Sequence, residues 1–140
     1  NKTVAYVGRK QVPLHSEWID SYKIFISFAY GAGEDFPHQI LNKPIFGEPN
    51  TCCTETYLLI GPFKNEKITK NVLSYIKTKF FRFMVLMIKN TQNATRRVYN
   101  LVPIQDFSEP WTDAKLYKKY GLTKEEINFI ESMIKPMEDK

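Results

Sequence analysis

Glu66-Lys-Ile-Thr-Lys-Asn-Val-Leu-Ser-Tyr-Ile-Lys-Thr-Lys-Phe-Phe-Arg-Phe-Met-Val-Leu-Met-Ile-Lys89 is the stretch on which the fold turns. Ile68, Val72, Tyr75, Ile76, Phe80, Phe83 and Met87 recur at three- and four-residue steps, the period of a helix with one buried face. The pattern predicts one helix over residues 66–89. Its second half is apolar nearly all round, so deep burial is expected there, with Arg82 as the exception. A buried guanidinium needs a carboxylate, a carbonyl or a ligand phosphate.

Upstream, the period changes. Thr3-Val-Ala-Tyr-Val7 and Tyr22-Lys-Ile-Phe-Ile-Ser-Phe28 are rich in β-branched and aromatic residues and read as strands. In the second, Tyr22, Ile24, Ile26 and Phe28 alternate with Lys23, Phe25 and Ser27, as a half-buried strand requires. Tyr30-Gly-Ala-Gly33 breaks it, and Pro37, Pro44, Gly47 and Pro49 mark a long loop. Thr54-Glu-Thr-Tyr-Leu-Leu-Ile60 is a further strand, closed by Gly61-Pro62. Downstream, Asn90 to Arg97 reads as a polar loop, and Val98-Tyr-Asn-Leu-Val102 as a short strand. Two short helices follow in a helical tail over 104–140. Trp111-Thr-Asp113 starts the first, with Gly121 in its C′ position, and Thr123-Lys-Glu-Glu126 is a capping box for the second. The expected fold is α+β: one domain over 1–140, with a mostly antiparallel or mixed sheet, one long buried helix and two short C-terminal helices.

A chain of 140 residues, 43% hydrophobic and 25% charged, buries a core without disulfides or metal. Its only cysteines, Cys52 and Cys53, are adjacent, which excludes a disulfide scaffold and a CxxC zinc site. No apolar run reaches the ~18–20 residues of a membrane span, and no signal-peptide pattern opens the sequence, so a cytoplasmic protein without a membrane partner is expected. The absence of an initiator Met and the strand-like opening suggest a domain cut from a longer chain.

The net charge of +5 is unevenly distributed. Residues 64–104 carry nine basic side chains against Glu66 alone, while the flanks are slightly acidic. No GxSxG, P-loop, HExxH or EF-hand pattern occurs, His15 and His38 are isolated, and the carboxylate pairs fall in a loop and a cap. No catalytic or metal-ligating set is therefore assigned, and the basic segment points to a binding domain. Lysines neutralise phosphates without reading sequence, whereas Gln, Asn and Arg present forks that pair with base edges. Lys77, Lys79, Arg82 and Lys89 are the expected backbone contacts on double-stranded DNA. Gln92, Asn93, Arg96 and Arg97 are the expected groove contacts, with Thr54, Thr56 and the Tyr30–Gly33 turn as secondary candidates. Arg82 has a rival role as a buried ion pair. A protein-docking module, a degenerate nuclease and a single-stranded RNA binder are the other classes left open.

Several ordered phrases carry a resemblance. They are Thr54-Glu-Thr-Tyr57, Tyr75-Ile-Lys-Thr-Lys-Phe-Phe-Arg-Phe83, Lys89-Asn-Thr-Gln92 and Val102-Pro-Ile-Gln-Asp-Phe-Ser-Glu-Pro-Trp-Thr-Asp113. Leu116-Tyr-Lys-Lys-Tyr-Gly-Leu-Thr-Lys-Glu-Glu-Ile127 and Phe129-Ile-Glu-Ser-Met-Ile-Lys-Pro-Met137 follow. Over 22–137 the chain resembles the C-terminal target-recognition region of bacterial N6-adenine DNA methyltransferases. These include forms fused to restriction endonucleases in restriction–modification systems. The resemblance implies an upstream domain of the same chain that binds S-adenosylmethionine and methylates a flipped adenine at an Asn/Asp-Pro-Pro-aromatic motif. That motif and a Gly-rich cofactor turn are absent here, so the implied role is to find the site, not to modify it. No cofactor is expected in this stretch itself.

Overall fold

The computed structural model describes residues 3–30, 36–89 and 93–137. Its sheet is built around β1 (Tyr22–Ser27), flanked by the antiparallel strands β2 (Ile45–Gly47) and β3 (Tyr57–Phe63) in the order β2-β1-β3. Ile24 and Ile26 are fully buried. The other face of β1 is buried as well, against the expected alternation. Lys23 is 1% exposed because its Nζ donates to the carbonyls of Trp18 (3.2 Å) and Ile19 (2.9 Å), at the end of a 3-10 turn over Ser16–Trp18. Gly47 makes this packing possible: a Cβ there would stand 2.8 Å from the Phe25 ring and 3.0 Å from the Lys23 stem.

Five elements differ from the sequence reading, four of them outside the central helical stretch. Residues 3–7 form no strand and stay exposed, because no other strand in the described chain pairs with them. β2 arises inside the predicted long loop, where Ile45 pairs with Phe25. β3 starts later than predicted and runs through Gly61-Pro62. Gly61 takes φ +146°, and the β1–β3 register shifts between Tyr22 and Ile24, so a bulge on an edge strand absorbs the proline. Residues Arg96–Tyr99 are a 3-10 turn, not part of a strand over 98–102; with β-branched residues only at its ends, that segment buries Val98 alone.

The predicted long helix is two: α1 (Glu66–Lys77) and α2 (Lys79–Leu86), broken at Thr78. Thr78 is extended (φ −64°, ψ 154°), its Oγ1 donating to the Tyr75 carbonyl (2.7 Å) and accepting from the Phe81 amide (3.1 Å). The Asp113 carboxylate also accepts from the Lys79 (3.1 Å) and Phe80 (2.9 Å) amides. These caps satisfy the amides that the break exposes, and one of them lies more than thirty residues away in sequence. Phe80, Phe81, Arg82 and Val85 are buried, but Met87 is 59% exposed, so burial does not extend all round the end of the stretch.

α3 (Asp113–Lys119) is capped by Thr112 and stopped by Gly121 at φ +60°, a left-handed position that glycine takes without strain. α4 (Lys124–Met133) opens on the Thr123–Glu126 capping box. Trp111 is buried, its Nε1 donating to the Asp106 carbonyl at 2.8 Å. Both helices pack on α2, and the chain after α4 bridges to His38 at Ile134. Among the described residues the architecture is thus α+β: a three-stranded antiparallel sheet against four α-helices, with a core cluster running from Ile24 through Phe80 to Ile134.

Candidate nucleic-acid interface

Nine of the ten predicted contact residues are described, and they fall toward the two ends of α2. At its N-terminal end stand Lys77, Lys79 and Arg82. Arg82 is 1% exposed. Its Nε donates to the Thr78 carbonyl (3.1 Å) and its Nη2 to that of Lys77 (3.0 Å), so it closes the last carbonyls of α1. Its Nη1 donates to Lys135 (2.8 Å) and Gln39 (3.2 Å) carbonyls. Burial pulls the Arg82 pKa down to about 10, opposed by the nearby Asp113 carboxylate. Four carbonyl acceptors take the place of both the predicted phosphate contact and the rival carboxylate partner. Lys79 is ion-paired to Glu131, and Lys77 is half-buried. This end of α2 is internal structure.

The other end meets the end of β1. There the Phe28 amide donates to the Thr56 carbonyl (2.8 Å) and the Phe28 carbonyl accepts from the Ala94 amide (2.6 Å). Two segments far apart in sequence are thereby drawn to the end of β1. One carries Thr54 and Thr56, exposed and joined through their hydroxyls at 2.7 Å. The other carries Asn93, bridged to Ala29, followed by Arg96 and Arg97. Lys89 reaches the Tyr30 carbonyl at 3.5 Å, and Asn42, which the sequence reading missed, donates to the Ala29 carbonyl at 2.6 Å. No local pattern marks Asn42; only the fold brings it here.

Arg96 and Arg97 are exposed, and their side chains make no hydrogen bond or ion pair among the described residues. The turn that carries them is fixed on both sides, by buried Ala94 before it and buried Val98 within it. The result is two exposed guanidinium groups on a turn anchored by buried neighbours, in a segment that meets the end of β1 at Phe28, as the Thr54–Thr56 segment does. Gln92 and the Gly31–Gly33 part of the Tyr30 turn lie outside the described residues.

The basic segment does not form one face. Lys67 and Lys70 line an open groove with Tyr22, at the start of β1, and Lys70 is held by Glu66 at 2.6 Å. Arg96, Arg97 and Lys89 lie at the other end of that strand. Among the described residues no three His, Cys, Asp or Glu side chains cluster as a metal site, and no helix is long and apolar enough to cross a membrane. Compared with family models, curated proteins and solved structures, the chain matches none.

Proposed function

We propose that this chain is a double-stranded DNA target-recognition domain, and that it reads its site with the surface at the end of β1. The observation that carries the reading is the Arg96–Arg97 pair: two exposed, unpaired guanidinium groups on an anchored turn. Arginine forks pair bidentately with guanine edges or clamp phosphates, and a fixed base is what specific readout needs. Thr54, Thr56 and Asn93 add short hydrogen-bonding groups beside them, and Lys89 adds charge. In this reading the chain supplies site recognition to an S-adenosylmethionine-dependent adenine methyltransferase domain, as its resemblance implies. Arg82 and Lys79 hold the fold and take no part in the contact.

Selection of a randomised duplex library on the chain tests this. The expected outcome is an enriched motif, with R96A or R97A relaxing the preference at some positions and K64A leaving it intact. Enrichment of no motif by the chain would refute it. A preference for single-stranded RNA would move the domain to another class.

A further inference from the structure

We propose that Thr3–Val7 of one molecule adds as a fourth strand to the open edge of β3 in a second copy, the exchange being reciprocal. This does not rest on the DNA reading. Thr3-Val-Ala-Tyr-Val7 has the composition of a strand, yet it pairs with nothing in the described chain. Val4 is 84% and Tyr6 99% exposed. The segment is held at its end: the Arg9 guanidinium forks onto Asp20 (2.6 and 3.0 Å) and reaches the Asn50 side chain (3.0 Å), and the chain before it leaves the body. It is an apolar arm without a charge between Thr3 and Val7, which suits a protein partner and not a phosphate backbone.

The matching edge is on the same chain. β3 pairs with β1 alone, so its second edge is open among the described residues. The Phe28–Thr56 bond sets the alternation of the ladder, which turns Leu58 and Ile60 toward β1 and the amide and carbonyl of Leu59 toward the open side. Tyr57-Leu-Leu-Ile60 is apolar and uncharged, and its flat stretch ends at the Gly61 bulge. Edge strands are ordinarily guarded by charge, proline or cover, and these four residues carry none of the first two. A five-residue arm fits this stretch in length and apolar character. Because each copy holds one arm and one edge, a two-fold exchange satisfies both and closes on itself.

Light scattering with hydrogen exchange on the 140-residue chain tests the proposal. The expected result is a species of twice 16.4 kDa as concentration rises, with slowed exchange at the arm amides and at Leu59. Tyr6→Pro and Val4→Lys should each return it to 16.4 kDa and abolish that protection, with the circular dichroism of the body unchanged, since Val4 and Tyr6 are 84% and 99% exposed. A monomer at every concentration would overturn the proposal, as would a dimer that survives both substitutions. Protected arm amides in a monomer would also overturn it, by assigning the edge to the molecule's own arm.

Discussion

The two ends of α2 hold the same kinds of side chain and use them in opposite ways. At the N-terminal end two cations are consumed, Arg82 on four carbonyls and Lys79 on Glu131. Beyond the C-terminal end, Arg96 and Arg97 face solvent with no partner among the described residues. The difference lies in the backbone around them. A helix break leaves carbonyls and amides that must be satisfied, and the nearest long cation is drawn inward. A short turn pinned by Ala94 and Val98 satisfies its own backbone and leaves its side chains to the outside. A count of basic residues therefore overstates the charge available for binding.

Substitutions that exchange the roles of the two ends test the comparison. Arg82→Ala strands buried carbonyls from three segments and opens a cavity, and should cost about 4 kcal/mol in urea unfolding. Arg82→Lys should recover little of it, since one ammonium cannot reach acceptors in the directions that the guanidinium serves. Asp113→Ala removes the carboxylate from the first amides of α2 and should cost about 1–2 kcal/mol. Retention of wild-type stability in either variant would show that the break is not held by these caps.

Tyr75 gives the same side of the break an alkaline signature. Its hydroxyl donates to the Pro103 carbonyl (2.7 Å) and accepts from Gln105 (3.2 Å), and burial raises its pKa from 10.0 to about 12. The folded phenol keeps its proton where the unfolded one has lost it. Its stabilisation is therefore full below pH 10 and is lost as pH rises toward about 12. Stability measured across that window should fall less steeply in Tyr75→Phe; an unchanged slope would remove Tyr75 as its source. Partly buried Tyr99 and buried Tyr117 are shifted in the same direction and leave a residual slope. The smallest effect is expected at the exposed turn: Arg96→Ala and Arg97→Ala should each move stability by no more than about 0.5 kcal/mol.

Periodicity and caps made much of the fold legible in the sequence. β1, the start of α3 with Gly121 behind it, and the Thr123–Glu126 box are set by local chemistry and stand where the residues place them. The break at Thr78 was not legible, because apolar spacing continues across it and the cap that stabilises it comes from Asp113. β2 was hidden for a related reason: three residues among turn formers become a strand only because β1 offers an edge. In the candidate site, Arg96 and Arg97 were visible as a basic pair in a polar stretch. Their neighbours Thr54 and Thr56 were visible only as separate candidates, and Asn42 not at all. Long-range bonds to Phe28 and Ala29 assemble these groups. Arg82 shows the limit from the other side: sequence marked it as a buried cation in need of partners, and only the fold shows those partners to be carbonyls.

The most direct test of the central claim is the salt dependence of duplex binding, followed by fluorescence anisotropy for the native chain and for the R96A/R97A double variant. Each phosphate contact removed should lower the slope of log K against log salt by about 0.9. The account predicts tight, salt-sensitive binding by the native chain. The double variant should lose most of its affinity and up to about 2 in slope, while melting as the native chain does. Equal affinity and equal slope in the two proteins would contradict it.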